Sequence, residues 1–384
     1  MPGVEGVHAL VRRAHEERVL TLLRERGSLS RAQIAARVGL SRTTLSEITS
    51  ELLARGAIVV VTTDAQVRAG SGRPAELLAL DPHSGQFMGV DLGHTRVRVA
   101  VADASHEIIA QDQGSYAAET PWDERLAAAF ALIDRIGRDS GVTYQALQGI
   151  GVGVAGPQPA GSPHYEQAAA AFRQRFAAPV LVDNNTRFAA LAEAIADGEE
   201  ARDVLYVRLS DGIGGGLVVS GRLVAGRYGV AGEFGHIPAD PAGDVCRCGK
   251  RGCLETVASV PAVLRACRLA GLDDLAAAVA AGEPTATATV ERAATAVGKV
   301  LANAALILNP ERIVIGGRLV SAAPGIVARA GAIVEAELVP VGGDRPDIRA
   351  ARLGDDDGAR GAIAALFRQS PLLAGYPEAA GSMA

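Results

Sequence analysis

The order of strands and helices after Phe87 constrains the fold more than any other feature, because the same order begins twice along the chain. Alternating apolar segments with glycine turns at 87–103 and 106–115 predict paired strands, and an amphipathic helix follows at 121–141. Strand and helix segments then alternate, and a second set of glycine-rich strands begins at Asp203. Two sets of this kind predict two related α/β lobes with a cleft between them.

The first 82 residues have a different pattern, which consists of three short helices and a hairpin. An apolar stripe predicts a helix over 14–26, Ser30 caps a second helix that ends at Gly39, and Ser41 caps a third helix. Two apolar segments around a polar, glycine-rich loop then predict a hairpin over 57–80. Gly39 suits the left-handed backbone that a turn between two crossed helices requires. This order of elements predicts a winged helix-turn-helix.

The third helix would be the recognition helix of such a domain. Hydroxyls and a guanidinium that can reach base edges or phosphates lie at its N-terminal end, at Ser41, Arg42, Thr43 and Thr44. Arg73, in the hairpin loop, suits insertion into a minor groove, although an ordinary hairpin loop is the alternative. Residues 1–80 carry a net charge of +3 and the remainder −8, which favours contact with nucleic acid at one end, although chance would also explain a few charges. The predicted partner is double-stranded DNA.

Four residues with metal-binding side chains lie close together in the second half of the chain. His236 is followed by Cys246, Cys248 and Cys253, with spacers of nine, one and four residues. Three thiolates and one imidazole match a tetrahedral zinc site, and because no ligand position remains for water the zinc would be structural. Three unliganded thiols are the alternative. Cys267 lies apart from this group and is predicted to be a packed thiol in a helix.

Nothing in the sequence indicates a membrane or exported protein. No apolar stretch reaches the roughly 20 residues that span a bilayer, and the first residues contain no signal-peptide core. Clustered cysteines in a reducing compartment favour metal binding over disulfides. The predicted location is the cytoplasm, with no membrane partner.

Several segments resemble the ROK family, which groups bacterial sugar-responsive repressors with sugar kinases. The most specific is the glycine-rich segment 209–236 followed by CRCGKRGCLE, and the others are DLGHTRVRVAVAD, GVGVAGP, VDNNTRFAALAEA and NPERIVIGGRL. The resemblance implies an actin-like, ribonuclease-H-like pair of lobes that forms homodimers or dimers of dimers. The expected fold class is therefore α/β, with a winged helix-turn-helix before a two-lobed sugar-kinase fold.

The resemblance also implies three glycine-rich elements that bind nucleotide in the kinases of the family. Their matches here are Asp91, Gly93 and Thr95, then Gly212, Gly214, Gly215 and Gly216, and finally Gly316 and Gly317. Such turns let backbone amides approach a phosphate, although they also simply form hairpins. Asp211 stands where the kinases usually carry threonine, and an unpaired carboxylate there would repel ATP. We therefore do not expect ATP as a cofactor.

Asn185 stands where the resemblance implies a catalytic base. The kinases carry an Asn-Asp pair at this point, and the Asp accepts the proton of the attacking sugar hydroxyl. Here the pair is Asn184 and Asn185, and an amide cannot supply this assistance, which is worth about 10²–10⁴-fold in rate. Asn185 can still hydrogen-bond a hydroxyl, so we expect sugar binding without kinase activity.

Five side chains are implied as sugar contacts by the resemblance: Asn184, Asn185, Glu233, His236 and Glu255. Amides and carboxylates suit a polyol because each hydroxyl both donates and accepts a hydrogen bond. The segment between GVGVAGP and VLVDNN is shorter than in typical members and lacks the Pro-Asn loop that often contacts the sugar. The identity of the sugar therefore does not follow from the resemblance.

The sequence as a whole predicts a sequence-specific DNA-binding repressor whose operator affinity changes when a sugar or sugar phosphate binds between the lobes. The alternatives are an ATP-dependent sugar kinase that also binds DNA and a ligand-independent DNA-binding dimer. We expect the winged helix-turn-helix domain at 1–82 and the first lobe at 83–198, completed by a C-terminal helix at 358–370. The second lobe, with the zinc site and the dimer interface, is expected at 199–357.

Overall fold

A computed structural model describes residues 15–369, apart from positions 17, 21, 24–25, 55–56, 65–74, 82–85, 104–106, 143, 145–146, 160, 177, 197–200, 340–344 and 355–356. These residues form a helical head, two α/β lobes and a C-terminal helix. Among the helices of the described ranges, none is both long and apolar enough to cross a membrane.

The head has the order of elements that the sequence predicts. Helical residues between 15 and 26 precede β1 (Leu29–Ser30), α1 (Arg31–Val38), α2 (Arg42–Ala54), β2 (Ile58–Asp64) and β3 (Ala75–Leu80). The strands lie in the antiparallel order β1-β3-β2, and the two-residue strand β1 is too short to give a period in the sequence. One apolar core joins the helices and the sheet, and it contains Ile34, Val38, Leu45 and Ile48.

Local capping fixes both ends of the turn between α1 and α2. Ser30 and Gln33 form a capping box at the start of α1, and Gly39 ends this helix with a φ of +71°. At the start of α2, the Ser41 hydroxyl accepts the N–H of Thr44 over 3.1 Å. Each cap of this kind is typically worth about 1 kcal/mol. The recognition helix therefore begins at the residue that the sequence indicated.

The first lobe is a five-stranded sheet with helices packed on it. Its elements are β4 (Gln86–Leu92), β5 (Arg96–Ala102), β6 (Ile108–Ser115), α3 (Trp122–Ser140), β7 (Leu147–Val154), α4 (Pro163–Phe176), β8 (Val180–Asn184) and α5 (Asn185–Ala194). The strand order is β6-β5-β4-β7-β8, in which β4, β5 and β6 are antiparallel and β4, β7 and β8 are parallel.

The second lobe repeats this sheet. Its elements are β9 (Val204–Leu209), β10 (Ile213–Val219), β11 (Arg222–Leu223), a 3₁₀ turn (Phe234–His236), α6 (Leu254–Ala258), α7 (Val260–Cys267), α8 (Leu272–Ala280), α9 (Pro284–Leu308), β12 (Arg312–Gly316), α10 (Arg318–Ala322), α11 (Gly325–Glu337) and β13 (Asp347–Ala350). The order β11-β10-β9-β12-β13 and the strand directions match those of the first lobe. The predicted pair of related lobes is confirmed.

The C-terminal helix α12 (Asp357–Gln369) packs against α5, β4 and β7, and so lies on the first lobe. Glycines make this close approach possible. A Cβ at Gly89 would lie 2.0 Å from the carbonyl oxygen of Ala359, and one at Gly361 would lie 1.7 Å from that of Phe188. All ten residues of α5 are buried, because α12 covers this helix and strands β9 and β10 of the second lobe also pack against it.

Candidate ligand cleft, metal centre and nucleic-acid interface

A cleft of about 720 Å³, open to solvent, lies where the two lobes face each other. The parallel strands of the first lobe bring Asp91, Pro157 and Asn184 to it from the ends of β4, β7 and β8. The second lobe contributes the turn after β9 and the start of α10. Clefts at the C-terminal ends of parallel strands are common small-molecule sites.

Asn184 lines the cleft, but most of its amide is used within the protein. Its Oδ1 accepts from the N–H and the hydroxyl of Thr186, over 2.8 and 2.6 Å, and so caps α5. Its Nδ2 donates to the carbonyl of Gly156 over 2.9 Å. One N–H of this amide remains for a ligand, so Asn184 positions the start of α5 more than it presents a free side chain.

Asn185, the first residue of α5, also lines the cleft and is buried. Its Nδ2 donates to Oδ1 of Asp91 over 2.7 Å. This contact orients the amide and leaves its oxygen as an acceptor for a ligand hydroxyl. Asp91 belongs to the segment DLGHTRVRVAVAD and Asn185 to the segment VDNNTRFAALAEA, and the sheet of the first lobe brings the two segments together.

Glu233 lines the cleft and immediately precedes the 3₁₀ turn that contains His236. Burial raises the pKa of Glu233, and the nearby charge of Arg187 opposes this change. A half-buried carboxylate is a strong acceptor for a sugar hydroxyl when it is ionised. Glu233 is therefore the predicted ligand residue that the structure leaves most available.

Glu255 is buried in the first turn of α6 and does not line the cleft directly. Its Oε2 accepts the N–H of Ile213 over 2.9 Å. The guanidinium of Arg247 contacts both of its oxygens, with Nε 2.8 Å from Oε1 and Nη2 3.1 Å from Oε2. Because Ile213 and Arg247 both line the cleft, Glu255 positions this part of the wall through its bonds to these two residues.

The ligand atoms of His236, Cys246, Cys248 and Cys253 all lie within 4.8 Å of one another. Sulfurs at two corners of a zinc tetrahedron would be about 3.8 Å apart, given Zn–S bonds near 2.3 Å. The sulfurs of Cys248 and Cys253 are 3.6 Å apart, and Nδ1 of His236 is 3.6 Å from the sulfur of Cys246. Burial lowers the pKa of His236, which favours the neutral ring that a metal ligand needs. The donor set and its spacing therefore fit zinc.

Tight turns bring these ligands together. Gly249 and Gly252 have φ values of +86° and +67°, and a Cβ at Gly252 would lie 1.5 Å from the carbonyl oxygen of Asp240. Lys250 donates to the carbonyl of His236 over 2.6 Å. Cys253 is the N-cap residue that immediately precedes α6. The metal loop is thus continuous with the helix that carries Glu255.

Asp211 is paired, so the expectation of an unpaired carboxylate that repels ATP is wrong. Arg318 forms an ion pair with Oδ1 of Asp211, and the hydroxyl of Thr95 donates to Oδ2 over 3.1 Å. Thr95 and Arg318 lie 116 and 107 positions away in sequence, so the sequence did not reveal either contact. The negative charge of Asp211 is therefore balanced by Arg318, and its two oxygens accept from Arg318 and Thr95.

The N-terminal end of α2 is open to solvent at Ser41, Arg42 and Thr43, and Thr44 is half-buried. The Ser41 hydroxyl already caps the helix and lies 2.8 Å from that of Thr44. Among the predicted DNA contacts that the structure describes, Arg42 and Thr43 are exposed and take no part in this cap. Arg73, the other predicted DNA contact, lies outside the described residues.

Comparison with known proteins agrees with this architecture. The model of the ROK family matches residues 87–370, and a winged helix-turn-helix DNA-binding model matches residues 12–59. The chain belongs to the ROK family. This ROK protein is 27% identical over 342 residues to the xylose repressor of Caldicellulosiruptor bescii, covering 82% of the chain and 85% of the relative.

Two further relatives match this ROK protein over most of its length. The DNA-binding transcriptional dual regulator NagC of Escherichia coli is 30% identical over 347 residues, with 82% of each chain covered. The crystal structure of a ROK family transcriptional regulator, described as a homologue of the E. coli MLC protein, superposes with a TM-score of 0.76 at 25% identity. That match covers 95% of this chain and 98% of the other.

Sequence reasoning missed several basic side chains of the cleft. Arg98 and Arg208 each place Nη1 3.9 Å from Oδ2 of Asp91, and Arg247 and His94 also line the cavity. Burial and the charge of Arg247 lower the pKa of His94, which favours its neutral form. Only Arg247 had a local signal, because it stands between Cys246 and Cys248 of the metal motif.

Proposed function

We propose that this protein is a sequence-specific transcriptional repressor whose affinity for its operator changes when a sugar or sugar phosphate binds between the lobes. The observation that carries this proposal is the combination of two features in one chain. The recognition helix α2 has an exposed N-terminal end, and the cleft contains the amide of Asn185 at the position of the kinase base. The similarity of this chain to the xylose repressor supports this proposal. A ligand that prefers one separation of the lobes would shift the spacing of two heads on a two-fold operator.

Binding without phosphorylation follows from the chemistry of Asn185. Its amide is held by Asp91 and cannot accept the proton of an attacking hydroxyl. Asn184, Asn185 and Glu233 would contact the ligand directly, and His236 and Glu255 would support them from the metal loop and α6. The proposed DNA contacts are Ser41, Arg42, Thr43, Thr44 and Arg73.

Zinc would be structural and bound by His236, Cys246, Cys248 and Cys253. Loss of the metal would loosen the segment between Glu233 and Glu255 and so weaken ligand binding. We further propose a homodimer or dimer of dimers with its interface in 199–357, and the cytoplasm as its location, where DNA is accessible. The proposed domains are 1–82, then 83–198 with 358–370, and 199–357.

The proposal is tested by selecting random double-stranded DNA with the zinc-loaded, full-length protein and measuring its affinity for the selected sequence by fluorescence anisotropy. Sugars, amino sugars and sugar phosphates are then added one at a time. We expect nanomolar binding at physiological salt, which one class of sugar changes by about 5–150-fold, the usual range of allosteric coupling. An affinity that no member of the panel alters would overturn the sensing part of the proposal.

An ADP-release assay and a DNA-binding assay distinguish the two alternatives from the proposed repressor. A sugar kinase would release ADP in a coupled assay at about 1 s⁻¹ or faster, whereas the proposed repressor releases none above the control. A ligand-independent DNA-binding dimer would bind all sequences alike, with an affinity that falls steeply as salt increases.

A further inference from the structure

Asp211 lies at the boundary between two cavities. The ligand cleft of about 720 Å³ and a neighbouring cavity of about 1570 Å³ share three lining residues, Arg96, Asp211 and Arg318. The second cavity extends from this boundary to Gly316 and Gly317 and to helices α7 and α8. Asp211 and Arg318 therefore form part of the wall that divides the two spaces.

The carboxylate of Asp211 also joins the two lobes. The hydroxyl of Thr95, in the turn between β4 and β5 of the first lobe, donates to Oδ2 over 3.1 Å. Arg318, the first residue of α10 in the second lobe, forms an ion pair with Oδ1. The N–H of Arg318 donates in turn to the Ser210 hydroxyl over 3.2 Å, beside Asp211 in sequence. Both members of the ion pair are about one-quarter exposed, at 29% and 26%.

The groups around this carboxylate are those that bind anions in proteins. A hydroxyl and a guanidinium are both donors, and glycine turns bring backbone amides close to a ligand. Gly317, next to Arg318, has a φ of +99°, and a Cβ there would lie 2.4 Å from the carbonyl oxygen of Leu209. This turn therefore holds the start of α10 close to the end of β9, where Asp211 follows.

We propose that Asp211 is a tethered anion that fills an anion-binding position formed by Thr95 and Arg318. The carboxylate closes this position to phosphate groups of free ligands and holds the mouth of the cleft together across the two lobes. A tethered group competes at an effective concentration in the millimolar range or above, so a free anion that binds more weakly than this is excluded. Removal of the carboxylate alone would leave the donors without an acceptor and ready for an external phosphate.

The test is isothermal titration of the zinc-loaded, full-length protein with inorganic tripolyphosphate. Neither DNA nor a sugar takes part, so the result is independent of the proposed repressor function. We expect the wild-type protein to show no saturable binding below the millimolar range, and Asp211→Ser to bind tripolyphosphate at least about 10-fold more tightly. The double variant Asp211→Ser/Arg318→Gln should lose this gain, because the guanidinium is then missing.

Glu291→Gln is the matched control, since it removes a carboxylate from an exposed pair with Arg329, 2.9 Å apart, on the second lobe. This variant should bind tripolyphosphate no better than the wild type. Asp211→Asn serves as a second variant if the serine variant does not fold, as judged by circular dichroism. Equal binding by the wild type and the Asp211 variants would overturn the proposal, and so would a folded Asp211 variant that binds no tripolyphosphate.

Discussion

The side-chain amide of Asn185 donates a 2.7 Å hydrogen bond to Oδ1 of Asp91 in the interior of the first lobe. The two residues are 4% and 1% exposed. The other oxygen of Asp91 has no hydrogen-bond partner among the described residues, and the guanidinium groups nearest to it lie 3.9 Å away. A neutral donor at position 185 thus stabilises a buried carboxylate whose second oxygen receives no hydrogen bond from the described residues.

Replacement of this donor by a second carboxylate should destabilise the protein and restore no kinase activity. In Asn185→Asp, two buried carboxylates would face each other, so one pKa rises above its value in the unfolded chain. That shift makes the variant most stable at low pH and lowers its stability as the pH rises through the raised pKa. We expect a loss of about 2 kcal/mol or more at pH 8 in urea unfolding, and no release of ADP with sugar and ATP.

Asn303→Asp is the control for this experiment, because Asn303 is exposed in the C-terminal half of α9. The unfolding free energy of this variant should stay within about 0.5 kcal/mol of the wild-type value both at low pH and at pH 8. Turnover of ATP by Asn185→Asp at an ordinary kinase rate would show that the base alone had been missing.

Removal of one metal ligand should release zinc and loosen the wall of the cleft. The wild-type protein is expected to hold one zinc ion per chain, and Cys248→Ser should lower its zinc affinity by at least about 100-fold, because a thiolate ligand is lost. Cys267→Ser changes a half-buried thiol outside the cluster and should keep the metal. Zinc content by atomic emission, together with the thermal midpoint, checks both variants. Equal zinc content in the two variants would contradict the assignment of the cluster.

The clustering of the four metal-binding side chains and the turn of the head could be predicted because their determinants are local in sequence. The four ligands occupy eighteen consecutive positions with glycines between them, so the chain can fold into only a few arrangements there. Ser30, Gly39 and Ser41 stand directly at the helix ends that they fix. The presence of two related α/β lobes also followed from the repeated pattern of apolar segments.

The charge arrangement of the cleft could not be predicted, because it depends on residues distant in sequence. Asp211 was expected to repel phosphate as a free carboxylate, yet Arg318 neutralises it from 107 positions away. Asn184 was expected to contact the ligand, yet it also caps α5 and bonds to Gly156. A single sequence shows which groups can ionise or donate, whereas their partners are set by the packing of the two lobes.

Loss of the guanidinium at the start of the recognition helix should weaken DNA binding. Arg42 is exposed at the first position of α2, so Arg42→Ala leaves the head core intact. We expect a loss of about 10–100-fold in affinity for the selected DNA, which corresponds to about 1–3 kcal/mol. If the contact is to a phosphate, the slope of log affinity against log salt also falls by about 1.

Arg329→Ala is the matched control for this DNA prediction, because Arg329 is about half-exposed on the second lobe. Its affinity for the selected DNA should remain that of the wild type. Equal affinity of Arg42→Ala and the wild type across a salt series would remove α2 from the proposed interface.

Glu233→Gln should leave the protein at least as stable as the wild type while it weakens sugar binding. Burial raises the pKa of Glu233, so its favourable contribution is present below the unfolded carboxyl pKa, near 4.5, and is lost as the pH rises through the folded pKa. The unfolding free energy of the wild type should therefore fall across this window relative to that of the variant. Affinity for the sugar found in the panel should fall by about 10-fold or more, since a charge-assisted hydrogen bond becomes a neutral one. Glu166→Gln, at an exposed position of α4, should change neither quantity, and a Glu233→Gln protein that binds the sugar normally would exclude this carboxylate from the site.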